Sequence, residues 1–81
     1  MRCTVLLFAQ LRESIGRDRL NIELRDGATV ADALEALARE HDIVRDMRGR
    51  IAVAVDEKYQ PETAVLRDGN TIALIPPVSG G

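Results

Sequence analysis

One helical stripe set between stretches of two-residue alternation limits this chain more than any other sequence feature. Val30, Leu34, Leu37 and Ala38 recur at i, i+4, i+7 and i+8, the spacing that lines up apolar side chains along one side of an α-helix. Thr29 stands where an N-cap is needed, and Asp32 suits the positive end of the helix dipole. The helix is expected from about Val30 to Glu40 or His41.

On either side the period falls to two, which is the period of strands. Residues 2–8 (RCTVLLF) read as a first strand, with Cys3, Val5 and Leu7 inward and Arg2, Thr4, Leu6 and Phe8 outward. Residues 10–16 (QLRESIG) form a turn of helix ending at Gly16, and residues 19–24 (RLNIEL) a second strand with Leu20, Ile22 and Leu24 on one face. Asp26-Gly27 turns the chain into the helix. Beyond it, residues 50–56 (RIAVAVD) alternate with Ile51, Val53 and Val55 inward and Ala52 and Ala54 outward. A polar connection with Pro61 leads to a short strand at Ala64-Val65-Leu66, then to the turn Arg67-Asp68-Gly69-Asn70. The last strand is 71–76 (TIALIP), with Ile72 and Leu74 opposite Thr71, Ala73 and Ile75.

Two strands before one helix and two or three after it give an α+β fold: one sheet of four to five strands with the main helix on one face. The first and last strands are expected to pair. Residues 1–76 make the single domain, and 77–81 form an extended tail.

Size and charge narrow the function. A chain of 81 residues has little core to give up to an enclosed active site, so a binding or carrier module fits better than an autonomous enzyme. Its 11 basic and 13 acidic residues are interspersed, and only Tyr59 and Phe8 could stack on bases. No nucleic-acid partner is therefore expected. No apolar run approaches a membrane span or a signal peptide. A single cysteine cannot close an internal disulfide, which fits a reducing cytoplasm.

The tail is the most informative segment. Pro76 and Pro77 hold the backbone extended and cannot continue a sheet interior, and Gly80 and Gly81 end it without side chains. Such an end is thin enough to thread a narrow channel, and a terminal glycine leaves its carboxyl open to activation. Leu6, Phe8 and Ile75, all outward, are expected to form one apolar patch beside the root of this tail, widened by Pro76 and Pro77. The competing expectation is that Leu11 and Ile15 cover the patch.

PPVSGG at the end, LLFAQLRE near the start, Gly-Ala-Thr-Val before the helix and IAVAVD together resemble the family of molybdopterin synthase small subunits, which are ubiquitin-like sulfur carriers. The resemblance spans essentially the whole chain and implies a β-grasp fold. It implies that an E1-like adenylyltransferase uses ATP to adenylate Gly81, and that a sulfur donor then converts it to a thiocarboxylate. The thiocarboxylate delivers sulfur to a cyclic pyranopterin held by the large subunit, in a heterotetramer of two small and two large subunits. By the resemblance, Gly81 would carry the sulfur and Gly80 support it. Leu6, Phe8, Ile75, Pro76, Pro77, Val78 and Ser79 are expected to meet the partner. No permanently bound cofactor is expected, and the chain is expected to act as subunit and co-substrate, with catalytic acids and bases on the partner. Carriers for thiamine thiazole or tRNA thiolation, and ubiquitin-like protein modifiers, share this fold and tail and remain alternatives. The sequence departs from the family where Asp56 replaces a frequent Asn and where Asp68-Gly69-Asn70-Thr71 replaces a more acidic segment.

The remaining candidates have plainer readings. Cys3, inward on the first strand, reads as an inert buried thiol, and His41 as a residue at the helix C-terminus with no metal-ligand set around it. Arg45, Arg48 and Arg50 read as a solvated basic edge.

Overall fold

The structure, a computed structural model, describes residues 1–77. Five strands form one mixed sheet: β1 (Arg2–Leu7), β2 (Arg19–Glu23), β3 (Ala52–Val55), β4 (Lys58–Tyr59) and β5 (Thr71–Ile75), in the order β2-β1-β5-β3-β4. The first and last strands do pair, in parallel, at the centre of the sheet. β2 runs antiparallel to β1, and β3 antiparallel to β5.

Three α-helices lie between the described strands, α1 (Ala9–Ile15), α2 (Val30–Glu40) and α3 (Asp42–Met47), and a single 3₁₀ turn, Arg48–Arg50, follows α3. Gly16 closes α1 in the left-handed conformation, φ 81°, and its N–H bonds the Arg12 carbonyl, as C-terminal glycines commonly do. The main helix α2 starts with a complete capping box. Thr29 Oγ1 accepts from Asp32 N at 3.3 Å, and Asp32 Oδ2 accepts from Thr29 N at 2.9 Å. Two N–H groups that the first helical turn would leave unpaired are thereby satisfied.

One face of the sheet carries the core. Cys3, Val5, Leu7, Val53, Ile72 and Leu74 meet Val30, Ala33, Leu34 and Leu37 of α2, Leu11 of α1, and Val44 and Met47 of α3. The alternation of β1 and β5 is as the sequence indicates: every second residue is buried.

Two elements differ from the sequence expectation. Ala64-Val65-Leu66 is not a ladder strand; it makes one isolated bridge, Thr29 to Val65, while Leu66 N bonds the Ala28 carbonyl and Leu66 plugs the core. The short strand is instead Lys58–Tyr59, inside the segment read as a polar connection. Helix α3 was not expected, because only Ile43, Val44 and Met47 are apolar over a single turn and a half, too few to show a period. His41 serves both helices, as C-cap of α2 and N-cap of α3.

The capping box generates two predictions. Thr29→Ala should cost about 1 kcal/mol of stability, lowering the thermal midpoint by roughly 4–8 °C for a domain of this size. The Thr29 N–H bonded to its carboxylate, reinforced by Arg25 at 3.1 Å, holds Asp32 below the usual carboxylate range. A lowered native pKa gives stability that is complete above the unfolded carboxyl range and lost as pH falls through the native value. The deficit of Asp32→Asn against the wild-type chain, measured by thermal unfolding, should be full near neutral pH and shrink towards zero in strong acid.

Candidate functional site

The sheet has a second face, and none of the described residues covers it. Cross-strand register lays its side chains out in rows. One row runs across all five strands: Arg19 of β2, Leu6 of β1, Ala73 of β5, Ala54 of β3 and Tyr59 of β4. Towards the start of β1 the row is polar, with Asn21, Thr4 and Thr71. In the other direction lie Ile75 and Ala52, paired to each other, and Phe8 just beyond the end of β1.

Small side chains at the middle and larger ones at the sides make a trough. Ala73 and Ala54 form its floor, with Leu6, Phe8, Ile75 and Pro76 along one side and Tyr59 and the Asp56-Glu57 turn along the other. The open groove has a volume of about 890 Å³. Ala54 faces outward as expected, yet it is only 7% exposed, because a methyl group at the bottom of a groove is shielded by taller neighbours. Phe8 is 43% exposed and Tyr59 72%, unusual for aromatic rings in a chain that has only these two.

Of the residues singled out from sequence, Leu6, Phe8, Ile75 and Pro76 all line this groove. Pro76 is buried, while Pro77 is exposed and lies outside the lining. Val78, Ser79, Gly80 and Gly81 fall outside the described residues. The expected cover does not exist: Leu11 is fully buried in the core on the helix side, and Ile15 packs against that core. Sequence reasoning missed Ala54, Ala73, Tyr59 and Glu57. The alternation of β3 and β5 could have supplied the alanines; Tyr59 needed the β3–β4 register.

That register is set by a two-residue hairpin. Val55 pairs with Lys58, and Asp56 and Glu57 between them have φ of 49° and 73°, as a type I′ turn requires. Aspartate tolerates the left-handed region, and here it is held there. Its Oδ1 accepts from Thr71 N at 2.9 Å, its Oδ2 from Asn70 Nδ2, and its own N–H bonds the Thr71 carbonyl. Asp56 therefore ties the hairpin to the start of β5. The only non-glycine residues of positive φ among the described residues are Ala9, Asp56 and Glu57, and all three line the groove. Backbone strain of this kind concentrates at functional sites.

The other candidates are inert or satisfied. Cys3 is 1% exposed, burial pushes its thiol pKa up, and its Sγ lies 3.5 Å from the Arg67 carbonyl. Arg45 pairs with Asp42 and Asp46, and Arg48 with Glu62. No group of three metal-binding side chains occurs among the described residues. Nor is any helix there long and apolar enough to cross a membrane.

Known proteins share this arrangement over the full length. The molybdopterin synthase sulfur carrier subunit of Haemophilus influenzae is 38% identical over 79 residues, covering 95% of this chain and 96% of its own. The crystal structure of SAMP1, small archaeal modifier protein 1 of Haloferax volcanii, superposes with a TM-score of 0.87 at 30% identity, each chain fully covered. A Helicobacter pylori chain solved as a complex of subunits 1 and 2 of molybdopterin-converting factor superposes at 0.68 with 27% identity, again over both full lengths. The ThiS family matches residues 5–81. With a β-grasp sheet, an uncovered apolar face at the root of its tail and relatives at this identity from end to end, the chain belongs to the ThiS family.

Proposed function

We propose that this chain is the sulfur-carrier subunit of a molybdopterin synthase, working in the cytoplasm. The observation that carries the proposal is the uncovered groove, which ends at Ile75 and Pro76, where the stem of the Gly-Gly tail leaves the sheet. A partner seated on the groove receives the tail within its own surface, and docking is separated from chemistry on a domain too small to house both.

A carboxylate is a poor electrophile, so Gly81 must first be activated. An E1-like enzyme joins the carboxylate to the AMP portion of ATP and releases pyrophosphate. A sulfur nucleophile then displaces AMP to leave the thiocarboxylate, whose soft sulfur attacks readily at neutral pH. The chain is consumed at each turnover and regenerated, so the general acids and bases belong to the large subunit. Two small and two large subunits would form the working assembly.

The likeness to SAMP1 favours a second reading, a modifier that joins its carboxyl to lysines of other proteins. One measurement separates the two. Incubation with ATP, the activating enzyme and a sulfur donor should raise the intact mass by exchange of one oxygen for sulfur, localised to Gly81. Adding the large subunit and the pterin precursor should reverse it. An unchanged mass, or covalent adducts on protein lysines in its place, contradicts the carrier reading.

Docking has its own test. Burying a phenylalanine is worth about 1.5–3 kcal/mol, so Phe8→Asp should weaken association with the large subunit by roughly tenfold or more. Thermal stability should stay near wild type, since Phe8 lies outside the core. Unchanged affinity in a calorimetric titration would remove the groove from the account.

A further inference from the structure

The geometry points to a partner surface that presents an arginine or lysine beside its apolar side chains, recognised by Glu57 and Tyr59 at the β3–β4 end of the groove. This inference rests on the groove being the docking face for the large subunit.

The apolar floor of Ala73 and Ala54 rewards any apolar surface pressed against it, and by itself fixes no orientation. Orientation must come from the walls, and the two walls differ. On the β1 side they are hydrocarbon: Leu6, Phe8, Ile75 and Pro76. On the β4 side stand an aromatic ring that is 72% exposed and two consecutive carboxylates.

Those carboxylates are not equivalent. Both oxygens of Asp56 are already occupied by Thr71 N and Asn70 Nδ2. Glu57 makes no side-chain hydrogen bond or ion pair among the described residues, although it borders the groove. Lys58, its neighbour, pairs with Val55 and so stands on the opposite face of the sheet from Tyr59. Glu57 thus contributes a negative charge with no partner among the described residues, beside the hydrogen-bonded Asp56, to a groove that is otherwise mostly apolar.

Its backbone argues the same way. With φ of 73°, Glu57 occupies a position where glycine would be free of the Cβ penalty. The hairpin gains nothing from a glutamate there, so its carboxylate is what the position supplies. A guanidinium or ammonium group beside this wall would meet the carboxylate in a charge-assisted hydrogen bond and the Tyr59 ring in a cation–π contact. Closure of the apolar interface around it would remove the screening water. Such pairing sets partner choice and association rate more than bulk affinity.

The test is the association of the full-length chain with the large synthase subunit, followed by stopped-flow and calorimetry at low and high salt. Glu57→Lys should lower the on-rate and affinity by about tenfold or more at low salt, with the gap narrowing as salt screens the charges. Tyr59→Ala should weaken binding several-fold. Glu57→Gly should separate charge from strain: affinity falls while the thermal midpoint stays at or above wild type. Wild-type affinity for Glu57→Lys, or a deficit that does not change with salt, overturns the inference. Phe8→Asp, measured alongside, distinguishes the failures. If it weakens binding and Glu57→Lys does not, only the basic partner falls; if neither weakens binding, the docking face falls with it.

Discussion

The parallel pairing of β1 with β5 organises the rest of the molecule. It sets two largely apolar strands side by side inside the sheet, where Val5 and Leu7 lie beside Ile72 and Leu74 beneath the helices. The same pairing determines the opposite face. Leu6 lies beside Ala73, and both strands finish at one end of the sheet, placing Phe8 near Ile75 and Pro76. A parallel pair needs a crossover connection, and here the chain between the two strands supplies α1, α2 and α3, all three contributing to the core face. The bare face is therefore a consequence of topology, and the tail emerges at its edge for the same reason.

The strained residues show where local preference has been overridden. Ala9, Asp56 and Glu57 occupy a region that L-residues enter at a cost of roughly 1–2 kcal/mol each. Ala9 lets the chain leave β1 for α1 directly after Phe8. Asp56 is compensated by its bonds to the start of β5. Glu57 has no such compensation among the described residues, and its carboxylate stands at the groove. Three departures from easy backbone geometry around one surface, with Gly16, Gly27 and Gly69 taking the other left-handed positions, set that surface apart from the rest of the fold.

Much of this was readable in the sequence, for identifiable reasons. Thr29, Asp32 and the stripe from Val30 to Ala38 announce α2 through capping and period together. The alternation in RCTVLLF and TIALI assigns both faces of the central strands, which is why Leu6, Phe8 and Ile75 group together from the sequence alone. What stayed hidden depends on information that is not local. The hairpin after Val55 lacks the Asn-Gly or Asp-Gly signature, so Lys58 and Tyr59 read as loop, and the groove's second wall went with them. Ala64 to Leu66 is apolar because Leu66 enters the core from a loop, and apolar content alone does not distinguish that from a strand. Helix α3 is too short to repeat its own pattern.

On the proposed reading, labour is divided within one small domain: the groove docks, the tail carries sulfur, and the partner supplies the catalysis. Competition measures that division most directly. A chain lacking Gly80 and Gly81 should fold, deliver no sulfur, and inhibit sulfur transfer by the intact carrier through occupation of the large subunit. Adding Phe8→Asp to the truncated chain should abolish the inhibition. Failure of the truncated chain to inhibit, or equal inhibition by the doubly altered chain, would contradict the claim that docking resides in the groove.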